Sequence, residues 1–151
     1  MVKGLIEMEF KWLPSMSVSE ETIDGQHRKL LAKVTELTQI LSSMDVDVSQ
    51  LRETVHFLYV YINEHFAYEE KYMSGVGFPG LENHRKMHQR FVQFYDNLQK
   101  EFREKSVSGH FSSLDVKELV KKIETFLGKW LVNHIETVDQ EYAKYIRSKR
   151  A

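Results

Sequence analysis

No cysteine occurs among the 151 residues, which excludes disulfides and thiolate metal sites, so any metal must be held by nitrogen and oxygen donors. Proline is nearly as scarce. Pro14 and Pro79 are the only two, and they leave a long interior without a helix breaker. No apolar run approaches the ~18 residues that a membrane helix needs, so no membrane partner is expected. Excess charge is missing as well. With 21 Lys+Arg against 22 Asp+Glu the net charge is −1, and without a basic stripe no nucleic-acid partner is expected. Glu7 and Glu9 stand where a secretory leader needs its apolar core, so a soluble, cytoplasmic protein is expected.

What the chain does have is helical periodicity. Ser17-Val18-Ser19-Glu20 fits a capping box, and an apolar seam follows at Ile23, His27, Leu30, Val34, Leu37, Leu41 and Met44. Asp47-Val48-Ser49-Gln50 caps a second helix, with seam Leu51, Val55, Leu58, Ile62, His65 and Glu69. Gly75-Val76-Gly77-Phe78-Pro79-Gly80 is the punctuation of a tight turn. The third seam runs His84, His88, Phe91, Tyr95, Leu98, Phe102, and a loop follows from Ser106 to Ser113. Asp115-Val116-Lys117-Glu118 caps the last helix, whose seam is Val116, Val120, Ile123, Leu127, Trp130 and His134. No strand pattern competes. The expectation is an all-α chain: an up-down-up-down antiparallel four-helix bundle with an N-terminal extended arm. One domain is expected over 1–151, with the arm at 1–18 and the bundle over about 19–148.

Five of the seven histidines take seam positions that should hold leucine: His27, His65, His84, His88 and His134. His56 is one residue off the seam and His110 is in a loop. In an antiparallel bundle the five lie at one end, with about 15 to 19 residues back to the other end in every helix, roughly 23–28 Å. Burying that many imidazoles without partners costs of order 1–3 kcal/mol each, and a metal satisfies them together. Neutral imidazole suits iron, copper, zinc and nickel. Glu69 and Asp139 add oxygen donors and negative charge. Asp139 follows His134 by five residues, so it is expected to point partly away and to lie one turn farther along. Two six-coordinate ions offer about twelve positions, and these imidazoles, two bridging carboxylates and a bridging oxygen leave roughly one open.

Other matches carry less. Glu53-Thr54-Val55-His56 has the Glu-x-x-His spacing of ferritin-like di-iron proteins but stands alone and off the seam. The His84/His88 pair lacks the glutamate of a metalloprotease helix, because Arg85 stands there. Glu70 is read as a carboxylate on the surface or behind the ligands. Tyr68, Tyr72 and Met73 are read as packing.

Four motifs together make the sequence familiar: Trp12 with Ile23-Asp24-Gly25-Gln26-His27; His65-Phe66 with Glu69-Glu70; His84 with His88; and Trp130-Leu131-Val132-Asn133-His134-Ile135 with Asp139. The chain resembles the hemerythrin family over almost its whole length. That resemblance implies two iron ions, an oxo- or hydroxo-bridged pair, that bind dioxygen reversibly. It implies that His84, His88 and His134 hold one iron, that His27 and His65 hold the other and keep its open position, and that Glu69 and Asp139 bridge both.

Reduction of a bound ligand needs a proton donor beside the open position. The neighbouring layer reads Leu30, Leu31, Ile62, Phe66, Phe91, Trp130 and Leu131, apolar apart from the indole N–H. The nearest seam hydroxyl is Tyr95, roughly 10 Å along the axis from His88, with Tyr59 flanking the seam. Leu30, Ile62, Phe66, Trp130 and Leu131 are therefore expected to wall a water-excluding pocket. A binding protein is expected rather than an enzyme, in oxygen storage, transport or sensing. The alternatives are a di-iron enzyme acting on peroxide or nitric oxide, and an oxygen- or iron-sensing signalling module. No protein partner is indicated.

Overall fold

A computed structural model of the chain describes residues 9–43, 45–107 and 112–150, and for 106 and 107 the backbone only. Met44, His110, the first eight residues of the expected arm and most of the expected 106–113 loop lie outside these residues. The described chain is all-helical, with four long helices and no strand. A short 3-10 turn at Pro14–Met16 comes first. Then follow α1 (Glu21–Leu41), α2 (Val48–Gly75), α3 (Leu81–Val107) and α4, a continuous helix over 113–150. Among these helices none is long and apolar enough to cross a membrane.

Two of the three expected helix starts move. Glu20, not Ser17, caps α1, its side chain accepting from the Ile23 N–H at 2.8 Å. Ser17 instead donates to Asp24 Oδ2 at 2.6 Å, and Asp24 Oδ1 accepts from the Val18 N–H at 2.9 Å. The acid in the first turn of α1 thus ties down the segment that leads into it. Asp47 caps α2 as expected, accepting from the Gln50 N–H at 3.1 Å. For α4 the cap is Ser112, three residues before the expected Asp115; the two form a reciprocal capping box.

The glycine turn works through one left-handed residue. Gly77 has φ +70°, the conformation glycine adopts most cheaply. Phe78 N–H then reaches Met73 O at 3.0 Å and Gly77 N–H reaches Ser74 O at 3.1 Å, which closes α2 with a Schellman motif.

Helix α1 packs on α2 and α4, and α2 packs on α3. Every expected seam residue that is described is buried, except Val116 and Trp130, which are half-buried. The core divides in two. A large cluster includes Leu30, Leu31, Leu58, Ile62, Phe66, Phe91, Leu127 and Leu131; a smaller one holds Val18, Ile23, Met73, Tyr142, Ala143 and Ile146. In each helix the histidines fall between residues of the two clusters. The polar layer is therefore sealed on both sides rather than lying at an open end, because α2 and α4 run on past Glu69 and Asp139.

The segment before α1 is held by α1 and α4. Phe10 N–H donates to Thr35 Oγ1 at 2.9 Å. The Phe10 ring lies so close to α4 that a Cβ at Gly128 would overlap it. Arg28 stacks on the Trp12 ring at 4.3 Å. Tyr68, expected to pack, is exposed.

Candidate metal centre

Seven ionisable side chains meet in the layer between the two clusters. His27 comes from α1, His65 and Glu69 from α2, His84 and His88 from α3, His134 and Asp139 from α4, and none is more than 3% exposed. Burying so many polar groups is tolerable only if they satisfy one another or a shared ion.

Each carboxylate divides its oxygens. Glu69 Oε1 stands 3.0 Å from both His84 Nε2 and His88 Nε2. Its Oε2 faces the other side, 3.4 Å from His27 Nε2 and 3.6 Å from His65 Nε2. Asp139 repeats the division: Oδ1 lies 3.0 Å from His84 Nε2 and 3.2 Å from His134 Nε2, and Oδ2 lies 3.3 Å from His27 Nε2. The donor atoms form two groups of metal-binding geometry, Glu69/His84/His88/His134/Asp139 and His27/His65/Glu69.

The sequence expectation for Asp139 is corrected. Residues His134–Val138 form a π-helical turn, so a five-residue step returns to the same face and Asp139 points at His134's own partners. A second π turn, at Ile123–Gly128, lies where Phe10 packs.

The donors fit a metal better than they fit each other. His27 Nε2, His88 Nε2 and both Asp139 oxygens have no hydrogen-bond partner among the described residues, although opposite groups stand within 3.0–3.4 Å. Within the layer only His84 links ligands by hydrogen bonds, to Glu69 Oε1 at 3.0 Å and to His134 Nε2 at 3.2 Å, and the donor atoms of each group lie within 4.8 Å of one another, close enough to share an ion. Electrostatics agree. Burial alone would lower His27 and His84, but the Asp139 and Glu69 carboxylates outweigh it and hold both at about 9. His65 is instead depressed to about 3 by its burial. Burial opposes ionisation of Glu69 and Asp139, yet the surrounding imidazoles hold both carboxyls well below their usual range. Two buried anions thus demand positive charge between them, which protons or cations can supply.

Residues behind the ligands fix the rings. His65 Nδ1 pairs with Gln26 Oε1 at 2.7 Å, and His88 Nδ1 with Glu70 Oε2 at 2.8 Å. Nδ1–H donation in both leaves each Nε2 free to face the centre. Arg85 Nε donates to Glu70 Oε1 at 3.0 Å. Rings stack on two of the ligands: Phe66 lies on His88 with centroids 3.7 Å apart, and Trp130 on His134 at 4.5 Å.

Of the five residues expected to wall a pocket, Leu30, Ile62, Phe66 and Leu131 are buried in the large cluster and Trp130 is packed against it. His56 is exposed on the outside of α2, away from the layer. Tyr95 donates to the Val55 carbonyl at 2.7 Å and so serves the helix packing.

Tyr142 was not anticipated. Its hydroxyl donates to Glu69 Oε2 at 2.9 Å from within the smaller cluster. Burial and the neighbouring carboxylates push this phenol well up. The sequence carried a signal, since Tyr142 lies three residues after Asp139 and so shares its face.

Comparison with known proteins agrees with this arrangement. The family model for the hemerythrin HHE cation binding domain matches residues 18–146. The chain is 26% identical over 137 residues to a bacteriohemerythrin of Stenotrophomonas maltophilia (strain R551-3), covering 91% of this chain and 81% of that protein. It is 26% identical over 136 residues to a bacteriohemerythrin of Pseudomonas aeruginosa (strain LESB58), with 90% and 80% covered. To a hemerythrin-like protein of Naegleria gruberi it is 28% identical over 137 residues, with 91% and 93% covered.

Proposed function

The chain belongs to the hemerythrin family, described by cation binding rather than by catalysis, and from that premise we propose that it binds dioxygen reversibly at a non-haem di-iron centre. The observation that carries this reading is the division of the carboxylates. Glu69 and Asp139 each turn one oxygen to the His84/His88/His134 side and the other to the His27 side. Carboxylates turned in this way would offer one oxygen to a metal on each side. His84, His88 and His134 would hold one iron, His27 and His65 the other. Fewer imidazoles on the second side leave room for a small ligand there. When bound, the iron pair supplies the redox chemistry by which dioxygen is held.

The chain's own residues would do the rest. Gln26 and Glu70 orient His65 and His88. Leu30, Ile62, Phe66, Trp130 and Leu131 would exclude water from the side where the ligand sits, which slows its loss in reduced form. We read residues 1–151 as one domain, arm at 1–18 and bundle over about 19–148, wound up-down-up-down; the packing of α1 on α2 and α4 supports this.

One observation favours turnover of peroxide or nitric oxide instead: the Tyr142 hydroxyl is a proton donor that touches a bridging carboxylate. It lies across the layer from the apolar wall, so binding remains the stronger reading. An optical titration of the reduced protein with dioxygen, followed by its removal under vacuum, tests the proposal. A charge-transfer colour that appears and then disappears is expected. A colour that cannot be reversed, with turnover of added peroxide, decides for the enzyme.

A further inference from the structure

The two histidines oriented from behind are not oriented alike. His88, on the three-histidine side, gives its Nδ1–H to a carboxylate, Glu70 Oε2, at 2.8 Å. His65, on the two-histidine side, gives its Nδ1–H to a neutral amide, Gln26 Oε1, at 2.7 Å. His27 differs from both: its Nδ1 is buried with no hydrogen-bond partner among the described residues. A carboxylate behind an imidazole raises its basicity and strengthens it as a donor, whereas an amide fixes the ring without adding charge. Arg85 Nε holds Glu70 in place at 3.0 Å, so the carboxylate is not free to swing into solvent.

We propose that Glu70 and Gln26 make the two metal positions unequal, Glu70 tightening the one at His84, His88 and His134 while Gln26 leaves the one at His27 and His65 exchangeable. This rests on the di-iron reading and adds to it a property of two residues that need not touch metal. Histidine number alone already favours the first position. Glu70 and Gln26 enlarge that difference, and charge-altering variants separate the two contributions. Glu70→Gln keeps an acceptor for Nδ1–H and removes only the charge. Gln26→Glu adds the charge on the other side. Both are positioning residues in this account.

The experiment is iron release from the loaded full-length protein to a ferrous chelator, followed by absorbance, with iron counted beforehand by elemental analysis. Wild type is expected to release iron in two phases of similar amplitude. Glu70→Gln should speed the slow phase by about 10–100-fold and leave the fast phase alone. Gln26→Glu should slow the fast phase alone. Glu70→Asp, which retains the charge, should stay closer to wild type than Glu70→Gln. Single-phase release from wild type, or a variant that shifts both phases alike at unchanged helicity, overturns the proposal. A count well below about two irons per chain tells against the di-iron reading itself, so the two failures are distinct.

Discussion

His134 and Asp139 lie on one π-helical turn, with Nε2 and Oδ1 3.2 Å apart. On an α-helix, at about 100° per residue, a five-residue step would leave Asp139 roughly 140° off His134's face. The wider turn closes much of that offset, and one stretch of α4 delivers both an imidazole and a carboxylate that faces His27 as well.

Those carboxylates set a pH dependence. They hold His27 and His84 at about 9 while remaining ionised themselves. Metal takes the neutral imidazole, so uptake at pH 7 must displace protons. Affinity should therefore rise with pH up to about 9 and flatten above it, and acid should expel the metal. Proton release on metal uptake, read with an indicator dye, should be clearly larger at pH 7 than at pH 10. Equal release at both would contradict this electrostatic picture.

His84→Ala should lose metal and stability together, because binding to the folded state alone stabilises it. At free metal about 100-fold above Kd the stabilisation forfeited is ~2.7 kcal/mol. His56→Ala should lose neither, since His56 is exposed outside the layer. Elemental analysis and chemical denaturation check both. Metal loss in His56→Ala would show that the wrong histidines are assigned.

Ile62 is 1% exposed, one turn before His65 and within the large cluster. Ile62→Gln is similar in volume and should still fold, at a cost of about 1–3 kcal/mol for a buried amide without partners. The amide brings a proton donor, and water with it, into the apolar wall. The oxygenated protein should therefore convert faster to its oxidised, non-binding form at unchanged iron content. Decay of its spectrum beside wild type is the measurement, and equal rates would mean that Ile62 is ordinary core.

Tyr142→Phe removes the hydroxyl from Glu69 Oε2 and leaves the ring to fill its place among Val18, Ile23 and Met73. A hydrogen bond to a charged group contributes about 1.5–3 kcal/mol, so chemical denaturation should show a loss of that order. If Tyr142 instead supplies a proton for turnover, peroxide consumption should fall in the same variant. Unchanged stability would mean that the hydroxyl is readily replaced by water.

Gly128→Ala should displace Phe10, because the added Cβ overlaps its ring. Overpacking of this kind costs about 1–3 kcal/mol. In the double variant Phe10→Ala, Gly128→Ala the clash is gone, so the two losses should add to more than the measured total. Simple additivity would show that Phe10 does not pack on α4 as described.

The helices were legible because their seams are regular. Leu30, Leu58, Phe91 and Leu127 sit at helical spacing and are all buried. The five seam histidines were legible for the same reason: a polar residue where leucine belongs can be recognised by position alone. Harder to read were the caps of α1 and α4. Ser17 and Asp115 both look like caps, yet Ser17 gives its hydroxyl to Asp24, seven residues on, and Asp115 is the closing residue of the box that Ser112 opens. Tyr142 lies past the end of the seam, and its place one turn after Asp139 is the one signal that it faces the layer.

By itself the sequence determined the element types, the buried faces and which residues meet in the layer, since periodicity fixes direction within a helix. Tertiary structure decided what periodicity cannot express. It wound α4 wide at His134–Val138, so that Asp139 faces His134. It turned Glu69 and Asp139 so that each oxygen has its own side, and it gave His88 a carboxylate and His65 an amide. These outcomes depend on distances between helices. Such distances are set by how whole side chains pack against one another, and no single helix carries them.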